Sequence, residues 1–181
     1  MVESINGKRV EIDYLYLDLS VCEPCQSTEA VLDQAVSEIK PVLEEYGFEV
    51  SVNKIHVQSE EQARFLKFVT SPTIRVNGQD IQPEILEKPC ECCSELVNSK
   101  NVDCRVWVYK GKEYWAPPKA MIVDSILRLA YSGAGEQLQD VYYPDVPDNI
   151  KLFFAGKKAS SSGNSCGCSP NSTSCCPPSS S

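Results

Sequence analysis

Between residues 9 and 19, in RVEIDYLYLDL, the apolar side chains of Val10, Ile12 and Tyr14 alternate with polar ones, a period of two that predicts a β-strand. The period then changes. Ala30, Val31, Ala35, Val36, Ile39, Leu43 and Tyr46 recur every three to four positions, which predicts an amphipathic helix, with Pro41 expected to kink or break it and Gly47 to end it. FEVSVNKIHV reads as a second strand, and Ser59 with Gln62 offers a capping box for a helix running to about Val69. The first 70 residues therefore read β-α-β-α.

Beyond them, SPTIRVNGQDI predicts two short strands joined at Asn77-Gly78, a pair that tolerates the positive φ angles of a type I′ turn. CRVWVYKGKEYWA predicts a second hairpin turning near Lys110-Gly111, with Trp107 and Trp115 as cross-strand packing residues. PPKAMIVDSILRLAY, with proline in its first turn and apolar residues at 121, 122, 126, 129 and 130, predicts a closing core helix. PDNIKLFFAG adds a short surface helix. Residues 86 to 104 have weak periodicity and read as an insertion. From Ala159 the pattern is lost: the last 23 residues hold ten Ser, four Cys and no charged side chain, the composition of a flexible tail. The expected organisation is one domain over 1–158, with an insertion at about 86–116, and a disordered Ser/Cys-rich tail over 159–181.

Charge narrows the classes of partner. A formal net charge of −8 opposes counterion-driven binding to nucleic acid or anionic lipid, so neither nucleic acid nor membrane is expected as a partner. The N-terminal residues lack the apolar core of a signal peptide, and no stretch has the roughly 18 apolar residues of a membrane span, which makes a cytoplasmic location the expectation.

Ten cysteines in one chain change the picture most. In a reducing compartment they point to redox chemistry or metal binding rather than a disulfide framework. Cys22 and Cys25 stand three positions apart where a strand gives way to a helix. This spacing suits a redox pair, half of a tetrahedral zinc site, or two ordinary buried thiols. Cys90, Cys92, Cys93 and Cys104 read equally as a structural metal site, an additional redox partner, or buried thiols. The tail places Cys166 and Cys168 one residue apart and Cys175 beside Cys176, soft thiolates of the kind that select Cu(I), Zn and similar ions, with As(III) and Hg(II) fitting by the same softness. His56, at the end of an apolar strand, reads as a core or edge residue.

The order strand, C-x-x-C, helix, strand, helix, Ser71-Pro72, hairpin resembles the thioredoxin superfamily. Within it, TSPTIRVNGQDI is most similar to the glutaredoxin pattern T-x-P-x-I-x-x-N-G-x-x-I, while CEPC carries proline before its second cysteine as thioredoxin does. The whole chain also resembles an uncharacterised thioredoxin-like family known only as a domain of unknown function. The resemblance implies an α/β, thioredoxin-like fold, a central mixed sheet flanked by helices, here with an inserted cysteine-containing segment and hairpin. It implies Cys22 as the attacking thiol, facing solvent at a helix N-terminus that favours its thiolate, and Cys25 as the resolving thiol. Ser71 and a cis Pro72 would then present extended backbone to a bound substrate. Departures accompany it: Gln82, Pro83 and Glu84 stand where glutaredoxins receive a glutathione carboxylate, Val21 replaces a tryptophan, and Tyr16 replaces an aspartate.

Two functions follow. One is a thiol-disulfide oxidoreductase that needs no cofactor, acts on protein or small-molecule thiols and disulfides, and uses the tail as a relay or delivery arm. The other is a soft-metal or metalloid binding protein or chaperone on the same scaffold, with a thiolate-bound ion at Cys166, Cys168, Cys175 and Cys176 or at Cys90, Cys92, Cys93 and Cys104.

Overall fold

The structure, a computed structural model, describes residues 8–98, 102–132 and 145–162. Its first sheet is built on β1 (Lys8–Tyr16), which pairs in parallel with β2 (Phe48–His56) from Lys8↔Phe48 to Tyr16↔His56. The other edge of β1 pairs antiparallel with β3 (Thr73–Val76), and β3 with β4 (Gln79–Asp80), giving the order β2-β1-β3-β4. Asn77 and Gly78 join β3 to β4 with φ of 52° and 80°, the left-handed turn that Asn-Gly predicts. The alternation of β1 sends Val10, Ile12 and Tyr14 to one face. There they meet Leu32, Ala35 and Leu43 of α1 (Glu23–Glu45) and Ile122 and Ile126 of α4 (Lys119–Tyr131) in the first core. The result is a mixed α/β architecture with a four-stranded mixed sheet, consistent with a thioredoxin-like fold.

A second, antiparallel sheet follows in the chain, with order β5-β6-β7: β5 (Leu86–Pro89), β6 (Asp103–Tyr109) and β7 (Lys112–Tyr114), with the short α3 (Glu91–Leu96) between its first two strands. The hairpin turns at Lys110 and Gly111, φ 50° and 76°, as its sequence predicts. Arg105 fastens this sheet to the first. Its guanidinium, fully buried, makes two 2.8 Å bonds to the Asp80 carboxylate, lies 4.5 Å from the centre of the Trp107 ring and donates to the Gln82 carbonyl. Gln82 adds a clip, its side chain donating to the Glu84 and Val106 carbonyls and accepting from Val108 N–H. Arg105 and Trp107 thus serve the first core, while Cys104, on the opposite face of β6, enters a second core with Leu15, Leu17, Phe68 and Val102.

Several expectations are corrected. The helix is not broken at Pro41: α1 runs through it. Both Pro41 and Ser37, whose carbonyl loses its partner, are exposed, so water can replace the missing bond. The helix begun at Ser59, whose Oγ accepts from Gln62 N–H, is α2 (Glu60–Phe65) and stops four residues before Val69. Lys67 takes a left-handed φ of 49°, and Phe68 N–H turns back onto the Ala63 carbonyl, so Phe68 enters the core from a loop. The weakly periodic stretch at 86–104 contains β5 and α3, each too short to print a period on the sequence. PDNIKLFFAG belongs to α5 (Asp148–Ser162), which is longer than expected and no surface helix: Ile150, Phe153 and Phe154 are buried in the second core. Here Gly156 allows close approach, since a Cβ on it would stand 2.5 Å from Val97 Cβ at the end of α3. The helix also runs through Ser162, into the stretch expected as tail. Trp115 lies beyond the end of β7 and is half exposed, so only Trp107, opposite Tyr114, packs across the hairpin.

Breaking a buried ion pair leaves the other charge uncompensated, at a cost of about 3–5 kcal/mol. Arg105→Ala should therefore lower stability by about 3–5 kcal/mol in chemical denaturation. A loss no larger than that of an exposed arginine, such as Arg9→Ala, would remove Arg105 from this role.

Candidate thiol cluster

Cys22 is the residue before the first turn of α1, with φ −84° and ψ 100°, and its carbonyl accepts from Gln26 N–H at 3.0 Å. The approach to it is tied down. The Asp18 carboxylate accepts from the Ser20 N–H and hydroxyl, and Gln26 Nε2 donates to the Leu19 carbonyl at 2.6 Å. Because α1 is long, its N-terminal N–H groups present positive potential to the Cys22 sulfur. Cys25, one turn on, sits 3.6 Å from Ser71 Oγ, and Tyr14 donates to its carbonyl at 2.6 Å. The Ser71–Pro72 peptide bond is cis.

Two placements differ from the expectation. Cys22 does not face solvent: it is 0% exposed. Nor is the backbone of Ser71 open to a substrate, because its carbonyl accepts from Arg105 N–H at 2.8 Å. In both cases the cause is the second sheet with α3, which the chain lays over the end of α1.

That covering segment brings sulfur with it. The Sγ atoms of Cys22, Cys90, Cys92 and Cys93 all lie within 4.8 Å of one another. Cys104 adds a fifth, 3.9 Å from Cys22 and 3.6 Å from Cys93, while Cys90 and Cys92 stand 3.3 Å apart. All six described cysteines are free thiols. Cys25 is not one of the four mutually close sulfurs, although its thiol still reaches Cys22, so Cys22 belongs both to the C-x-x-C pair and to the cluster. The tail candidates Cys166, Cys168, Cys175 and Cys176 lie outside the described residues. His56 stacks on Tyr16 at 5.2 Å, and its Nε2 is 2.9 Å from the Leu17 carbonyl, as an edge residue of the fold.

The thiols share protons unequally. Cys22 is driven far below the ordinary thiol range, first by the Cys104 thiol and then by those of Cys25, Cys90 and Cys93, all of which can donate to its sulfur. Cys104 is correspondingly held well above that range, by its bond to Cys22 first. Cys25 is raised by the same donation and by burial. Cys93 is raised too, its bond with Cys104 opposing the contacts with Cys22 and Cys90. Cys90 is lowered to about 7, chiefly by Cys104, and Cys92 is pushed up to about 11, chiefly by burial. The cluster thus favours thiolate on Cys22 first and on Cys90 next, and resists it on Cys25, Cys92, Cys93 and Cys104. A thiophilic cation would relieve that resistance.

One side of the cluster is open. A cleft of about 530 Å³ is lined by Cys90 and Cys92, by the carboxylate residues Glu23, Glu91 and Glu95, and by Trp115. Sequence reasoning left out this mouth and the role of Cys104 as a neighbour of Cys22. The Cys90-x-x-Cys93 spacing was the one available signal.

This is a cysteine cluster that could bind metal or take part in redox chemistry, set on an α/β scaffold. The chain belongs to the family described as Domain of unknown function (DUF2703), whose match covers residues 10–126. All six described cysteines fall within that match, whereas α5 and the tail cysteines lie beyond it. No curated protein and no solved structure matches the chain. No helix among the described residues is long and apolar enough to cross a membrane.

Access and thiolate character together set alkylation order. In the reduced protein at neutral pH, a brief exposure to N-ethylmaleimide should modify Cys90, on the cleft wall, ahead of Cys22 and Cys25, as read by peptide mass mapping. Labelling of Cys22 first would mean that the second sheet does not shield it.

Proposed function

We propose that this protein captures a thiophilic metal or metalloid ion at the cluster of Cys22, Cys90, Cys92 and Cys93, as a scavenger or carrier of such ions on a thioredoxin-like scaffold. The carrying observation is that four sulfurs from two distant segments lie within 4.8 Å of one another. A tetrahedral thiolate site with metal–sulfur bonds of about 2.3 Å has sulfurs about 3.8 Å apart. Within the four, Cys90 and Cys92 stand 3.3 Å apart and no pair is separated by more than 4.8 Å, so small shifts bring the sulfurs to that edge. The donor set suits soft ions, and a cation would offset the burial and repulsion that otherwise keep Cys92 and Cys93 protonated. The carboxylates at the mouth favour approach of a cation. By sequence alone, Cys166, Cys168, Cys175 and Cys176 supply further sulfur donors, suited to delivering or withdrawing the ion.

A second reading, thiol-disulfide exchange, rests on Cys22 being a thiolate at the start of a 23-residue helix. The Cys22 thiolate would attack a substrate disulfide, forming a mixed disulfide and expelling one substrate thiolate. Cys25, as thiolate, would then attack Cys22, expel the second and leave a Cys22–Cys25 disulfide. Ser71 and Pro72 would position the substrate. This reading ranks second because Cys22 has no exposed surface and the Ser71 carbonyl is already bonded.

The test uses the full chain with Cys166, Cys168, Cys175 and Cys176 changed to serine, reduced and kept free of oxygen, and titrated with cadmium. One equivalent should bind, with sulfur-to-cadmium absorption in the near ultraviolet. Cys22→Ser should weaken binding about 100-fold, as expected for loss of one ligand in four, and Cys25→Ser should change it little. No binding, or binding indifferent to Cys22, would overturn the proposal. Disulfide reduction that depends on Cys22 and Cys25, without cadmium binding, would put the second reading first.

A further inference from the structure

The five clustered sulfurs do not share one environment. Cys92 is half-buried and lines the cleft beside Cys90. Cys90 is itself only 3% exposed, and Cys22, Cys93 and Cys104, which do not line that cleft, are 0, 2 and 1% exposed on the inner side. They form a closed triangle of their own, with sides of 3.9 Å from Cys22 to Cys104, 3.6 Å from Cys93 to Cys104 and no more than 4.8 Å from Cys22 to Cys93. Around them pack Leu17, Phe68, Val97, Val102 and Phe153, so any net charge left on a complex there would be poorly solvated.

Charge decides which ion such a triangle can hold. Three thiolates leave a net charge of −2 around a monovalent ion and −1 around a divalent one. Around a trivalent centre they leave none. The carboxylate residues Glu23, Glu91 and Glu95 on the adjoining cleft add negative potential and raise the cost of the first two cases. The four-sulfur set differs because Cys90 and Cys92 reach the cleft, where water can share the charge of a divalent complex.

Resting on the reading of the cluster as a thiophile-binding site, we infer that Cys22, Cys93 and Cys104 form a second, three-thiol site that takes a trivalent metalloid hydroxide of the arsenite class. Arsenous acid is uncharged at neutral pH, so the acidic mouth does not repel it and no charge has to be buried. In the step, three arsenic–oxygen bonds break and three arsenic–sulfur bonds form. The hydroxides displaced by Cys93 and Cys104 take the thiol protons and leave as water, and the one displaced by the Cys22 thiolate leaves as hydroxide, which takes a proton from solvent. Arsenic keeps its oxidation state, and no oxidant or reductant is consumed. Cys90 and Cys92, on the cleft wall, stand where the incoming hydroxide first meets sulfur, and exchange from one thiol to the next carries it inward.

Cys104 and Cys92 separate the two sites. In the full chain with the four tail cysteines changed to serine, arsenite and cadmium binding are measured side by side, by elemental analysis after desalting and by near-ultraviolet absorption. Cys104→Ser should weaken arsenite binding about 100-fold while leaving cadmium bound, because multidentate capture loses one of its three arms. Cys92→Ser should do the reverse. Retained cadmium in Cys104→Ser also certifies its fold, and Cys92→Ser decides the matter alone should that variant unfold. Arsenite binding that survives Cys104→Ser, or that falls in Cys92→Ser as cadmium does, would overturn the three-thiol site while leaving the four-thiol site standing. Failure of the parent chain to bind either ion would overturn both.

Discussion

Arg105 is the constraint on which the site depends. Its N–H takes the Ser71 carbonyl, and its guanidinium takes Asp80, so one residue fastens the second sheet to the first at two points. Side chains alternate along a strand, so fixing Arg105 toward the first core turns its neighbour Cys104 toward the second. Cys104 then arrives beside Cys22, and α3, held between β5 and β6, brings Cys90, Cys92 and Cys93 to the same place. The same bond closes the backbone edge at Ser71 that a docking peptide would need. A single fastening thereby turns an open dithiol surface into a covered pocket of thiols.

Electrostatics gives that pocket its character. Six thiols packed together are stable as thiols, and one deprotonates readily because its neighbours can donate to it. Cys90, lowered to about 7, follows it, and a third thiolate meets burial and repulsion. The cluster is therefore a poor polyanion that could hold a thiophilic ion bringing its own positive charge. This is why we place ion capture ahead of disulfide exchange. Exchange needs one reactive thiolate and room for a bulky substrate, and only the first is present at Cys22. Capture needs several convergent sulfurs and a narrow way in, which the cleft beside Cys90 and Cys92 supplies.

Much of the scaffold was legible in the chain. The alternation of Val10, Ile12 and Tyr14 and the spacing of Ala35, Ile39 and Leu43 on α1 are local consequences of which face is buried, although the same spacing passed over the buried Leu32 and took in Ala30 and Tyr46, which are exposed. Asn77-Gly78 and Lys110-Gly111 announce their turns by the backbone angles they tolerate. The position of Cys22 and Cys25 at a strand-to-helix junction was equally visible. What the sequence withheld is tertiary. Nothing local at Cys90 or Cys104 says that they reach Cys22, because the contact is made by β6 docking through Arg105 and not by spacing. For the same reason Cys22 reads as exposed in the isolated motif and is buried in the fold. The helix α5 escaped as a core element because its buried residues, Ile150, Phe153 and Phe154, are few and are followed by glycine, lysines and serines.

The central claim is that the first cysteine of the C-x-x-C motif belongs to the same pocket as the cysteines of the inserted segment. A bifunctional thiol reagent that bridges only neighbouring sulfurs tests this directly, without any metal. Applied to the reduced, folded chain and mapped by mass spectrometry, it should join Cys22 to Cys90, Cys93 or Cys104. Bridges confined to Cys22 with Cys25, with the inserted cysteines joined only among themselves, would contradict the account.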